Sequence, residues 1–113
     1  MHELGITDAM LKTVDRLILS EGMNGANSVT VEVGDLSGVV PRFLSECWEA
    51  VVAGTKYEQT GLIIQTLRGT ARCEDCQAVF AIELDDLRCP NCHGSKLTPL
   101  TGRDVTITEI EAY

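Results

Sequence analysis

The first hydrophobic pattern along the chain has the spacing of an α-helix. Its apolar positions recur at intervals of four, four, three and one residues, at Ile6, Met10, Val14, Leu17 and Ile18. This spacing forms one face of a helix and leaves the charged residues in between on the other side. The pattern predicts a helix that begins within the first few residues and stops near Gly22, which tolerates the left-handed conformation of a helix end.

Three later segments have the pattern of β-strands. They are Ser28 to Leu36, Leu62 to Leu67 and Asp104 to Ile110. In the first of them, valines at every second position alternate with threonine, glutamate and glycine, so we expect one face of that strand to be buried.

A second helix is predicted between the first two strands. Pro41 suits its first turn, where the missing N–H costs no hydrogen bond, and Gly54 ends it. Its apolar stripe consists of Leu44, Cys47, Trp48 and Val51. We interpret Cys47 as a core residue, because free cysteine behaves as a small buried hydrophobe. A strand–helix–strand crossover of this length implies a parallel strand pair and an α/β fold class.

Residues 70–100 contain four cysteines in two closely spaced pairs. The pairs are Cys73-x2-Cys76 and Cys89-x2-Cys92, with 12 residues between them. Both sulfurs of such a pair can reach one ion, and two pairs supply a tetrahedral set of four thiolates. We therefore predict a closed, structural zinc site in an insert between the second and third strands. The metal would supply much of the insert's stability, because its apolar surface is small.

Other chemistries are open to the same cysteines. Iron in a rubredoxin-like site uses similar pairs, Cys89-x-x-Cys92-His93 matches a c-type haem attachment sequence, and a redox dithiol is a third alternative. The aromatic shell usual for a rubredoxin-like carrier is missing, and a haem site leaves the first pair unexplained. We interpret His93 as a bystander or a spare ligand.

Composition and charge narrow the function classes. Of the 113 residues, 44% are hydrophobic and 23% are charged, which excludes a disordered or low-complexity chain. Nine basic and seventeen acidic residues give a net charge of −8. No basic patch is visible, so neither nucleic acid nor an anionic membrane is an expected partner. With no signal-peptide pattern and no membrane-spanning run, we expect a cytoplasmic protein.

The chain begins with Met1-His2-Glu3, which places an imidazole beside the free α-amine. The amine, backbone amide nitrogens and the imidazole can wrap a metal in the near-planar, nitrogen-rich geometry that nickel(II) and copper(II) favour. The first N–H groups of a helix lack intrahelical acceptors, so their conversion to ligands breaks no helix bond. From the spacing alone, a terminal histidine with no metal role is the simpler interpretation.

Taken together, the motifs resemble the HypA/HybF family. They are the Met-His-Glu-Leu start, the Val-Glu-Val-Gly-Asp-Leu-Ser-Gly-Val run at 31–39, and the knuckles Cys-Glu-Asp-Cys and Cys-Pro-Asn-Cys. The resemblance covers essentially the whole chain. Members of the family are nickel metallochaperones for NiFe-hydrogenase maturation, so the resemblance implies that His2 and the Met1 amine bind nickel with Glu3 as an adjunct. It also implies a zinc site formed by Cys73, Cys76, Cys89 and Cys92.

The resemblance further implies a fold and partners. The fold is an α/β nickel-binding domain of two helices on a three-stranded mixed sheet (1–69 plus 101–113), with a four-cysteine zinc-ribbon insert (70–100). The partners are a HypB-type GTPase and the NiFe-hydrogenase large subunit, with urease maturation proteins as a further class. The predicted function is nickel binding and transfer without catalysis. The alternatives are a zinc-ribbon adaptor with no nickel role and a rubredoxin-like electron carrier.

Overall fold

The computed structural model describes residues 3–113. Two helices and six strands follow one another in this part of the chain: α1 Glu3–Ser20, β1 Ala26–Gly34, α2 Pro41–Val52, β2 Gly61–Leu67, β3 Thr70–Cys73, β4 Val79–Ala81, β5 Leu97–Thr101 and β6 Val105–Ala112. Both predicted helices and all three predicted strands are present. The first strand lies two residues earlier than expected, and the last one continues to Ala112. No helix in the described part is long and apolar enough to cross a membrane.

β1 is the central strand of a mixed sheet in the order β2-β1-β6. β2 runs parallel to β1 with Ile64 opposite Val31, and β6 runs antiparallel with Ile107 opposite the same valine. The parallel pair confirms the crossover through α2. The predicted fold of two helices on a three-stranded mixed sheet, with a four-cysteine ribbon inserted between its second and third strands, is confirmed as well.

The hydrophobic core lies between the two helices and one face of this mixed sheet. Trp48 is its largest buried side chain, and the indole N–H donates to the carbonyl of Thr60 at 3.0 Å. That bond satisfies the polar edge of the ring inside the core. The other large buried side chains are Met10, Val14, Ile18, Val29, Val31, Val33, Leu44, Val52 and Tyr57.

The helices are rotated slightly from the orientation that their apolar stripes predict. Leu17 is 42% exposed, whereas Thr7 is buried and donates its hydroxyl to the carbonyls of Glu3 and Leu4, at 3.0 Å each. On α2, Cys47 is only half-buried, so its interpretation as a core residue was wrong. An apolar stripe about 100° wide fixes which side of a helix faces inward, but the packing partner decides which flanking residues are covered.

A second, antiparallel sheet in the order β4-β3-β5 carries the cysteines. The chain passes between the two sheets at Gly69 and again at Gly102. Gly102 packs closely against both Gly34 and Gly69. A Cβ on Gly34 would stand 2.0 Å from the carbonyl oxygen of Gly102, and a Cβ on Gly102 would stand 2.6 Å from Cα of Gly69. Asp35 Oδ1 accepts the N–H of Gly69 at 2.7 Å. We call Gly34, Gly69 and Gly102 the glycine joint. The predicted domain boundaries, which lie between residues 69 and 70 and between residues 100 and 101, stay a prediction.

Candidate metal centre

The four spaced cysteines converge on one point at the end of the second sheet. Cys73 is the last residue of β3, and the other three lie in turns, yet all four sulfurs are within 4.8 Å of one another. The Sγ atoms of Cys73 and Cys92 are 3.5 Å apart, and those of Cys76 and Cys89 are 3.6 Å apart. A disulfide would need about 2.05 Å, whereas two thiolates on a tetrahedral zinc with bonds of about 2.3 Å stand about 3.8 Å apart. The four residues therefore fit a zinc ion.

The two Cys-x2-Cys turns share one backbone design. In the first, the N–H of Gln77 donates to the carbonyl of Cys73 at 2.8 Å; in the second, the N–H of His93 donates to the carbonyl of Cys89 at 2.8 Å. Gln77 and His93 hold the corresponding positions, with φ of 67° and 64°. His93 thus closes a turn. Among the described residues, the converging group of potential ligands consists of the four cysteines, and His93 lies outside it.

The cluster is buried on one side and open on the other. Cys73 and Cys89 are buried, Cys76 is half-buried and Cys92 is exposed. Backbone N–H groups of Asn91 and Cys92 donate to Sγ of Cys89 at 3.3 and 3.5 Å. Such N–H···S bonds orient a thiolate and stabilise its charge.

The pKa values of Cys76 and Cys92 are shifted in opposite directions. A hydrogen bond from the side chain of Asn91 is the main cause that lowers the pKa of Cys76 to about 6. The N–H of Gly94 lowers the pKa of Cys92, but the thiol of Cys73, partial desolvation and the other cysteines outweigh it and raise that pKa to about 12. A bound dication would relieve this conflict, because it stabilises all four thiolates together.

Of the predicted nickel residues, Met1 and His2 lie outside the described residues. Glu3 begins α1, and its Oε2 accepts the N–H of Val40 at 3.2 Å, immediately before α2. Hydrogen bonds from its own backbone N–H and from Val40 lower the pKa of Glu3. The carboxylate is therefore ionised at neutral pH and bound to backbone. Sequence reasoning missed this contact because it joins positions 37 residues apart.

Comparisons with known proteins agree with this architecture. The family model described as "Hydrogenase/urease nickel incorporation, metallochaperone, hypA" matches residues 1–112. The hydrogenase maturation factor HypA of Geotalea uraniireducens is 33% identical over 111 residues, which are 98% of each chain. The protein of the same name from Streptomyces avermitilis is 34% identical over 112 residues, covering 97% of this chain and 86% of that relative.

A solved structure shows the same fold. It is the solution structure of the Ni metallochaperone HypA from Helicobacter pylori, with a TM-score of 0.73 and 19% sequence identity; the match covers 99% of this chain and 97% of that one. The family match includes both helices, both sheets and the cysteine cluster, so the resemblance found in the sequence is confirmed. This chain belongs to the HypA family of hydrogenase maturation factors.

Proposed function

We propose that this protein is a nickel metallochaperone that binds nickel(II) at its amino terminus and delivers it during NiFe-hydrogenase maturation. The observation that carries the proposal is the closed cluster of four cysteines in a chain of this family. Four protein thiolates leave no open coordination position. The cluster therefore suits resident zinc, held by Cys73, Cys76, Cys89 and Cys92, and the nickel cargo needs a second site.

The amino terminus is the second site that we propose. The Met1 amine and the His2 imidazole are nitrogen donors of the kind nickel(II) favours, and neighbouring amide nitrogens can complete a near-planar set. Few protein ligands at a chain end make release by ligand exchange simple. No bond of a substrate is made or broken in this transfer, so the protein acts as a carrier and not as an enzyme.

The proposed recipient is the large subunit of a NiFe-hydrogenase, and a HypB-type GTPase is the proposed partner in delivery. Urease maturation proteins form a further partner class, in keeping with the description of the family model. We place the nickel function on the mixed sheet and its helices, the zinc function on the ribbon insert, and the protein in the cytoplasm.

A zinc-ribbon adaptor without a nickel role is the alternative function, and nickel titration of untagged, zinc-loaded protein distinguishes the two. Residues added before Met1 convert its amine to an amide, so they should weaken nickel binding at least about tenfold, as should His2→Ala. The same residues added after Tyr113 are the matched control and should leave affinity unchanged. Zinc content should be equal in all of them, because these changes are remote from the cysteines.

The pH dependence provides a second measure of the same site. A protonated amine must lose its proton to bind nickel, so affinity should fall as the pH drops below about 7.7–8.0, the ordinary range of an α-amine. Calorimetry in buffers of different ionisation enthalpy would count the protons released. Equal nickel affinity of the parent, the amino-terminally extended protein and His2→Ala would contradict the terminal site.

A further inference from the structure

Glu3 supplies a helix cap that α2 lacks in its own sequence. Val40, directly before α2, has no side-chain oxygen to cap the helix, and Pro41 follows at its first position. A glutamate at the third helical position often reaches back to the N–H of the residue before the helix, but Phe43 occupies that position here. The missing acceptor comes from α1 instead, because Glu3 Oε2 accepts the N–H of Val40 at 3.2 Å.

The first turn of α1 has one hydrogen bond to the residue before α2 and further hydrogen bonds within α1 itself. The carboxylate of Glu3 is bound to Val40, and the hydroxyl of the buried Thr7 donates to the carbonyls of Glu3 and Leu4 at 3.0 Å. Helix ends normally fray. Here the residue that directly follows the proposed nickel ligands is held to the start of a second helix.

We propose that Glu3 is a positioning residue that clamps the metal-bearing terminus to α2, and that its carboxylate is not a nickel ligand. This inference rests on the proposed function, since it concerns the scaffold of the same nickel site. A terminus fixed at Glu3 has fewer conformations to lose when nickel binds, so the clamp raises affinity by preorganisation. If the carboxylate moved to the metal, the N–H of Val40 would lose its acceptor and the terminus would lose its anchor.

Conservative substitution separates the two roles of Glu3. Glu3→Gln keeps a carbonyl oxygen that can accept the N–H of Val40 but removes the anionic ligand. Nickel affinity of Glu3→Gln should stay within about twofold of the parent, whereas Glu3→Ala should bind about fivefold more weakly. A loss in Glu3→Gln as large as that in Glu3→Ala would overturn the proposal, because it would make the carboxylate itself the ligand.

Substitution at the other end of the same hydrogen bond provides an independent test. Val40→Pro removes the N–H, and the native φ of −91° lies near the range of proline. Val40→Ala is its matched control, because it shortens the side chain and keeps the N–H. We expect about fivefold weaker nickel binding for Val40→Pro and near-parent binding for Val40→Ala, and the double variant Glu3→Ala/Val40→Pro should be no weaker than either single one. Equal affinity of Val40→Pro and Val40→Ala would contradict the clamp.

Hydrogen exchange in nickel-free protein tests the clamp independently of the proposed nickel function. In nickel-free protein with zinc bound, hydrogen exchange at the amide of Val40 should be about tenfold faster in Glu3→Ala than in the parent or Glu3→Gln. Unchanged exchange in Glu3→Ala would overturn the clamp. If exchange changes as expected but the parent does not bind nickel, the clamp stands and the nickel function fails.

Discussion

Tyr57 is a buried residue whose hydroxyl contacts an acidic side chain. It is only 3% exposed, and its hydroxyl donates to Oδ1 of Asp15 on α1 at 2.6 Å. Desolvation of the phenol, followed by the hydrogen bond to Asp15, raises the pKa of Tyr57 to about 12. The contact ties the loop after α2 to α1, and it persists only while the phenol keeps its proton.

The raised pKa of Tyr57 predicts a loss of stability in alkali. Unfolded tyrosine loses its proton near pH 10, whereas the folded residue keeps it to about pH 12. The stabilisation is therefore complete below pH 10 and is lost as the pH rises towards 12. Tyr57→Phe should be about 1 kcal/mol less stable than the parent at pH 8 and should lose less stability between pH 10 and 12. Urea unfolding measures both.

The control for this prediction is Tyr113→Phe, since Tyr113 is 55% exposed. It should follow the parent closely over the whole pH range, because the charge of Tyr113 is the last of the causes that raise the pKa of Tyr57, after desolvation and Asp15. Parallel stability curves for the parent and Tyr57→Phe above pH 10 would contradict the role assigned to the buried phenol.

At the scale of elements, the sequence predicts the long helices and strands but not the short strands of the insert. Both helices and the three strands of the mixed sheet were predicted because each carries its own period of apolar residues. β3, β4 and β5 were missed, since strands of three to five residues show little alternation; Val79 in β4 is even 64% exposed. The cysteine cluster was found because its ligand spacing is local, while the contact of Glu3 with Val40 depends on tertiary packing.

The glycine joint leads to a prediction about the ends of these strands. Gly34→Ala would place a Cβ 2.0 Å from the carbonyl oxygen of Gly102, where only backbone can move. We expect a loss of roughly 3 kcal/mol or more in the free energy of unfolding, as for severe overpacking. Gly61→Ala is the matched control in the same sheet, because its nearest neighbour would be the carbonyl oxygen of Asn27 at 3.9 Å.

Urea unfolding followed by the fluorescence of the buried Trp48 compares these two variants. Gly61→Ala should lie within about 0.5 kcal/mol of the parent, the usual range for a substitution that meets no obstacle. Similar free energies of unfolding for Gly34→Ala and Gly61→Ala would show that the joint yields easily, and would contradict its close packing.

The whole molecule is elongated, with extents of 53 × 25 × 17 Å. Its radius of gyration is 17.3 Å, whereas a compact domain of this length has about 13 Å. The difference reflects the ribbon insert, which projects from the mixed sheet beyond the glycine joint. An ion pair of Arg68 with Glu83 also links the two parts. None of the buried residues of the insert belongs to the hydrophobic core cluster of the described residues, so each part depends on its own source of stability.

Because the two parts are stabilised separately, we expect loss of zinc to unfold only the insert. The buried apolar side chains within the insert are Ala71, Cys73, Ile82 and Cys89, too few to offset the conformational entropy of its backbone. Metal binding must supply the difference. Cys73→Ala should therefore lose zinc and unfold β3, β4 and β5, while α1, α2 and the mixed sheet stay folded on the core that contains Trp48.

Elemental analysis measures the zinc content of each variant, and hydrogen exchange shows which residues unfold. The parent should hold about one zinc ion per chain, and amides of residues 70–101 should lose their protection in Cys73→Ala, while those of Val29 and Val31 in β1 keep it. Cys47→Ala is the control, because it also removes one thiol but from α2, away from the cluster. Full zinc in Cys73→Ala would contradict the ligand assignment. Loss of protection in β1 would mean that the glycine joint transmits unfolding from the insert to the core.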